Sequence, residues 1–261
     1  MNIIVIAIIS TSVIGFLCAI LITVASKLMF VKTDERVVKI RECLPGANCG
    51  ACGFSGCDGY AHALVEENCG INLCPPGGDA LIEQLSGILG VSAGEGIAKM
   101  VAVVHCLGDS ETTTDKMEYT GIGTCVAAKQ LYGGQGACTF GCIGFGDCVK
   151  VCPSSAICVE NNLARVDRRR CSGCTLCVKA CPTEIISMQA EPVHVSVLCK
   201  NTEKGARLKG KCKKGCIGCM KCVKECPVEA ITVTESLAAI DYSKCTGCGK
   251  CVDVCIAGCI L

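Results

Sequence analysis

The chain has 261 residues, a formal net charge of +1, 3% aromatic residues and no Trp, set against 29 cysteines. So few large apolar side chains cannot build one extensive core, and small, weakly cored domains need a covalent or metallic staple. The balanced charge leaves no electrostatic footprint for nucleic acid. Disulfides suit short secreted chains and 29 is odd, so the cysteines point to metal.

From Ile3 to Ser26 no residue is charged. At about 1.5 Å per residue this run reaches roughly 36 Å, enough to cross a bilayer as a helix, and residues 1–32 are expected to be a transmembrane anchor. A signal peptide is the alternative, but Met1 and Asn2 form no basic n-region and no A-x-A site follows. Lys27, Lys32, Arg36, Lys39 and Arg41 come after the run, so the positive-inside rule places the rest of the chain in the cytoplasm. Thiols stay reduced there. Before its end the helix carries no Asp, Glu, Lys or Arg and so offers no charged site for moving an ion; Cys18 reads as a small apolar filler.

Residues 33–95 read as a single-cluster domain. Cys49, Cys52 and Cys57 lie in one loop with glycines at 46, 50, 53, 56 and 59, which let the backbone wrap and turn its N–H groups toward sulfur. Cys74, before Pro75-Pro76-Gly77-Gly78, is the expected fourth ligand, with Cys69 as a substitute and Cys43 a further neighbour. Zinc is the competing metal, since C-x2-C is also a zinc pair. An apolar stripe at Leu81, Ile82, Leu85, Ile88 and Leu89 predicts a covering helix with Asp79 as its N-cap. Residues 96–136 read as a linker with a short strand and a helix: Val101 to Cys106 is the buried strand, and Thr112-Thr113-Thr114 opens a polar loop. Cys106 and Cys125 fall outside any ligand spacing and read as structural.

The remainder is a duplication with a 74-residue offset. Cys138, Cys142, Cys148 and Cys152 fall on Cys212, Cys216, Cys222 and Cys226, and Cys171, Cys174, Cys177 and Cys181 fall on Cys245, Cys248, Cys251 and Cys255. Between them each copy reads as a hairpin, turning at Asn161-Asn162 in the first. The run Cys171-x2-Cys174-x2-Cys177-x3-Cys181-Pro is the bacterial ferredoxin motif, whose fourth thiolate ligates the other cluster of the pair. Residues 137–190 and 211–261 are therefore expected to be dicluster ferredoxin modules, joined by a basic linker at 191–210. In copy one the sets are Cys138, Cys142, Cys148 with Cys181, and Cys171, Cys174, Cys177 with Cys152. In copy two, Cys245, Cys248 and Cys251 pair with Cys226, and Cys255 completes the other set. That last set is ambiguous: the repeat selects Cys212, Cys216 and Cys222, whereas ferredoxin spacing selects Cys216, Cys219 and Cys222, which is preferred. Ile256 replaces the proline expected after Cys255. The fold class is thus α+β, built of small iron–sulfur modules with five [4Fe–4S] clusters.

The glycine-rich Cys49 to Cys74 motif, behind a single N-terminal membrane helix and ahead of ferredoxin repeats, resembles the B component of the Rnf electron-transport complex over essentially the whole chain. The resemblance implies a prokaryotic membrane complex that passes electrons from reduced ferredoxin toward NAD⁺ and couples this to Na⁺ or H⁺ translocation. It implies that Cys49, Cys52, Cys57 and Cys74 bind the first cluster, and the second ferredoxin copy suggests an extended form. No complete active site is visible in the chain. Gly121-Ile-Gly123 lacks the third glycine of a dinucleotide fingerprint, and His62, His105 and His194 are isolated from one another, so NAD⁺ and flavin chemistry belongs to other membrane and flavin-carrying subunits. A polyferredoxin of another membrane enzyme and a zinc-stabilised scaffold are the competing readings. Nine basic residues from Lys200 to Lys224, against Glu203 alone, could steer an acidic ferredoxin.

Overall fold

The computed structural model describes residues 3–28, 34–92, 98–192 and 195–261; Lys32 and His194 lie outside the described residues. Helix α1 runs from Ile3 to Leu28. Several of its hydroxyls bond its own backbone: Ser10 Oγ donates to the Ala7 carbonyl at 3.0 Å and Thr23 Oγ1 to that of Ala19 at 2.7 Å. Neither hydroxyl is left unpaired on the apolar surface of the helix. It is the one helix among the described residues that is long and apolar enough to cross a membrane, by length and composition.

Three helices follow. α2 (Glu35–Cys43) starts at Asp34, whose carboxylate accepts from Arg36 N at 2.8 Å. It packs with α3 (Cys57–Glu66) and α4 (Gly78–Leu89) around Ile40, Tyr60, Leu64 and Leu85, each 1% exposed or less. Asp79 does not cap α4, as the sequence suggested; Gly77 holds the N-cap without a side-chain bond. The helix starts earlier because the Gly-Gly turn carries the chain directly into it, leaving Asp79 in the first turn, where its charge complements the helix dipole. Tyr60 OH donates to the Gly70 carbonyl at 2.7 Å and accepts from Leu73 N at 3.4 Å, pinning the stretch of chain that delivers Cys74.

Strand β1 (Met100–Val104) is buried as expected, but it is no linker: it pairs antiparallel with β4 (Ile186–Ala190), Met100 opposite Ala190 and Val104 opposite Ile186. Between them lie α5 (Cys125–Gln130), α6 (Asp147–Lys150), the hairpin β2 (Ile157–Glu160) and β3 (Leu163–Val166), and α7 (Leu176–Ala180). The second copy repeats the plan. Ser196 and Leu198 pair with Leu261 and Cys259 as a terminal ladder, around α8 (Gly205–Leu208), α9 (Lys221–Glu225), the hairpin β5 (Ile231–Thr234) and β6 (Leu237–Ile240), and α10 (Lys250–Asp253). Both hairpins turn through two left-handed residues, Asn161 and Asn162 in one and Glu235 and Ser236 in the other, as a two-residue turn between twisted strands requires.

The basic segment also differs from a free linker. Leu208 is 1% exposed, Asn201 equally so, Lys211 Nζ bonds both Glu203 oxygens at 2.8 Å, and Thr113 bridges Cys212. The two modules therefore meet along a seam formed by residues 105–115 and 195–215. His105 seals it: Nδ1 donates to the Val197 carbonyl at 2.7 Å and Nε2 accepts from Ser187 Oγ at 2.6 Å. Burial lowers its pKa and keeps it neutral.

Candidate iron-sulfur sites

In five places one buried thiol is surrounded by three other cysteines. Burial, then the charges of Cys52, Cys49 and Cys57, pushes Cys74 up to about 11. Burial and the charges of Cys174, Cys171 and Cys152 push Cys177 up to about 11; burial with Cys216, Cys219 and Cys255 does the same for Cys222. Cys251 is raised by burial and by Cys245, Cys248 and Cys226. Such groups repel one another as thiolates and call for cationic iron at their centre.

Three of these groups line cavities. Cys152, Cys171, Cys174 and Cys177 share one, Cys226, Cys245, Cys248 and Cys251 a second, and Cys216, Cys219, Cys222 and Cys255 a third, which Cys259 also lines, its sulfur 3.6 Å from that of Cys255. The crossed arrangement comes directly from the local chain path: each short helix after the C-x2-C-x2-C loop carries the fourth cysteine away from its own loop and into the other cavity. In the ambiguous set Cys219 lines the cavity and Cys212 does not.

The fifth group departs from the sequence assignment. Cys142, Cys148 and Cys181 share their cavity with Cys125, and Cys138 lies in a different one. Cys148 is pushed up to about 12 by burial and by the charges of Cys142, Cys125 and Cys181. The physical reason is at position 145. The second copy has Cys219 in the middle of its loop, whereas the first has Phe145, and the vacant corner is filled from outside by Cys125 at the start of α5. Thr124 caps that helix, its hydroxyl accepting from Ala127 N at 3.2 Å, and Val126 N donates to Asp147 Oδ2 at 3.1 Å, tying Cys125 to α6. Phe145 packs instead on Tyr119, ring centroids 5.4 Å apart. Gly121 and Gly123 lie in the turn ahead of α5.

The donors around sulfur suit thiolate ligands. Ala156 N and Ala230 N donate at 3.3 Å to Cys152 and Cys226, at matching positions of the repeat, and Ala164 N and Ala102 N donate to Cys142 and Cys171 at 3.4 and 3.5 Å. Such bonds stabilise a negatively charged cluster. Among the described residues no three His, Cys, Asp or Glu side chains converge on a single ion. A tetrahedral zinc holds thiolates at about 2.3 Å and so draws them together, whereas a cubane keeps its four thiolates apart by its own bulk. Four-cysteine sets spread around a cavity fit the second. His62 is exposed beside Glu66 at 3.2 Å and takes no part.

Comparison with known proteins finds iron–sulfur families along the chain. Residues 44–76 match the FeS family, an Fe-S cluster domain, and residues 170–231 and 215–259 each match a 4Fe-4S dicluster domain. The B component of the Na(+)-translocating ferredoxin:NAD(+) oxidoreductase complex of Acetobacterium woodii is 40% identical over 95% of this chain and 74% of its own. The chain belongs to the RnfB family. The corresponding component of the proton-translocating ferredoxin:NAD(+) oxidoreductase complex of Clostridium ljungdahlii is 38% identical over 99% of the chain and 91% of its own length. That of the ion-translocating oxidoreductase complex of Methanosarcina acetivorans is 37% identical over 92% and 91%. These RnfB relatives span both ferredoxin modules, so the duplication is shared with them rather than peculiar to this chain.

Proposed function

We propose that this chain is the electron-relaying component of a membrane complex that oxidises reduced ferredoxin, reduces NAD⁺ and couples the reaction to Na⁺ or H⁺ translocation. The observation that carries the reading is the presence of five separate four-cysteine groups behind one helix of spanning length, in a chain of the RnfB family. The ligand sets are Cys49, Cys52, Cys57 and Cys74; Cys125, Cys142, Cys148 and Cys181; Cys152, Cys171, Cys174 and Cys177; Cys216, Cys219, Cys222 and Cys255; and Cys226, Cys245, Cys248 and Cys251. Bound [4Fe–4S] clusters supply one-electron redox chemistry. The chain's part is to hold the thiolates, direct amides at their sulfurs, limit water and bring the groups together. Lys179, two residues after Cys177, donates from Nζ to the Cys49 carbonyl at 2.9 Å, so the first domain's loop rests on module one beside its second cavity.

The anchor α1 would hold these modules at the cytoplasmic face, since Lys27, Arg36, Lys39 and Arg41 follow the span. The donor would dock on module two. Cys219 is exposed there, sharing its cavity with Ile217, Met220 and Ile256 at 41%, 49% and 63% exposure, and exposed Lys213, Lys214, Lys221 and Lys224 lie close by in the chain. An apolar patch with a basic rim suits a small acidic redox partner, whose encounter is steered by charge. Anaerobically purified protein should be coloured and should bleach on mixing with reduced ferredoxin in a stopped-flow cell. A colourless protein without iron would refute the reading.

A further inference from the structure

The cysteines displaced from the ferredoxin sets gather in one place. Cys125 takes the corner that the repeat assigns to Cys138, and Cys219 takes the corner it assigns to Cys212, which leaves Cys138 and Cys212 without a set. Both line the cavity at the seam between the modules, together with Cys106 from the end of the β1 segment and Cys199 from the terminal ladder of module two; Cys142, already in the neighbouring set, borders it as well. We propose that Cys106, Cys138, Cys199 and Cys212 hold a sixth [4Fe–4S] cluster between the two ferredoxin modules.

Proximity supports the set. A methyl group built on Gly108 would lie 3.5 Å from Cys212 Sγ and 3.7 Å from Cys106 Sγ, and one built on Gly141 would lie 3.6 Å from Cys106 Sγ and 3.8 Å from Cys138 Sγ. The three sulfurs thus lie near one another along one wall, where the Thr113 methyl packs against Gly108, 2.6 Å from the place of a Cβ. The fourth comes, like Cys212, from the second copy: Cys199 Sγ accepts from Cys216 N at 3.3 Å and from Asn201 N at 3.5 Å. Asn201, 1% exposed, turns its side-chain amide to Cys138 Sγ at 3.3 Å. One buried asparagine therefore donates to sulfurs from both modules, the pattern of amide donation seen at the other sets. The space at the seam is larger than at the other sets, about 760 Å³ including the open solvent at its mouth, against about 350 Å³ on the same measure for each of the cavities at Cys142 and Cys216.

The count closes as well. Six sets of four leave Cys18, Cys43, Cys69, Cys158 and Cys259 from the 29 cysteines, and Cys18 sits in the apolar helix α1 while Cys158 is exposed on a hairpin. A single zinc ion fits the seam poorly, because no three of its cysteines converge on one point.

The inference rests on the reading of the other five groups as cluster sites, and the test separates the two. The full-length chain, purified anaerobically in detergent, should carry about 24 irons and 24 acid-labile sulfides, and an iron anomalous-scattering map of it should show density in the seam. Cys138→Ser and Cys199→Ser should each lose about four of each, while Cys158→Ser loses none. About 20 irons in the parent, with no seam density, overturns the sixth site and leaves the five standing. About 20 irons with one zinc at the seam overturns it in favour of a zinc tie. Absence of iron throughout would remove the underlying reading instead. The map needs no variant, so failure of either serine variant to fold does not shield the proposal.

Discussion

The packing of each cluster loop on its hairpin turn can be tested by adding a single carbon. Gly144 follows Cys142 and has φ +90°; a Cβ there would sit 2.9 Å from the Asn162 carbonyl oxygen and 3.0 Å from Asn162 Cα. Gly218, at the matching place after Cys216, has φ +65° and would meet Ser236 Cα at 2.8 Å and its carbonyl oxygen at 3.0 Å. Both obstacles are backbone, so neither can step aside as a side-chain tip would. Gly249 supplies the control: its φ is +77°, but a Cβ there meets nothing within 4 Å. Gly249→Ala therefore carries only the left-handed penalty of about 1–2 kcal/mol. Gly144→Ala and Gly218→Ala carry that penalty plus an overpacking cost of about 1–3 kcal/mol. The difference, taken as about 2 kcal/mol, is roughly a 30-fold change in the folded ratio. Anaerobic urea titrations followed by the visible absorbance of the bound clusters should place the Gly144→Ala and Gly218→Ala midpoints well below that of Gly249→Ala. Equal midpoints for all three would show that the loop does not bear on the hairpin as described.

Replacing Cys125 should remove one cluster from module one, and restoring the missing middle cysteine should bring it back: Cys125→Ser is expected to lose about four irons, and Cys125→Ser with Phe145→Cys to regain them, as read by iron analysis. Cys219→Ser should likewise lose one module-two cluster. A chain beginning at Asp34 should be soluble without detergent and keep its iron, since α1 is the one helix of spanning length among the described residues; sedimentation with membranes in the absence of partners would refute that. Leu85→Ala, at a side chain with no exposure, should destabilise the helical domain by about 2–5 kcal/mol, measurable by thermal melting of the first cluster's signal. Electron delivery from reduced ferredoxin should slow as salt rises, because steering is screened over about 8 Å at physiological ionic strength. Lys209, Lys213 and Lys214 changed together to Glu should slow it further at unchanged iron content; Lys211 is left alone because it pairs with Glu203.

What the sequence made legible is the part of each site that is local. C-x2-C-x2-C paired with a distant fourth cysteine from the preceding run selects the same residues as the cavities do for Cys171 to Cys177 with Cys152 and for Cys245 to Cys251 with Cys226, since a tight loop brings nearby thiols together whatever surrounds it. The long uncharged helix and the two hairpins are local in the same sense. The strand pairing of β1 with β4 was not legible, because a strand's own residues say it is buried without saying which distant strand it lies against, as Ala102 lies opposite Met188. The same limit hid the places of Cys125, Cys106 and Cys199. Each reaches its cavity across intervening structure, and no spacing rule covers that. One signal was present: the 74-residue slide that matched eight cysteines also lays Cys125 on Cys199 and Phe145 on Cys219. A cysteine run interrupted in one copy by Phe145, with an unassigned cysteine upstream, implies that the missing corner is supplied from elsewhere. The two copies then diverged in a complementary way. Copy one draws Cys125 into its ferredoxin cavity and releases Cys138; copy two fills the same corner from within its loop through Cys219 and releases both Cys199 and Cys212. The released cysteines lie on the faces that the modules turn toward each other, so the departures from the repeat mark the seam where the two copies join.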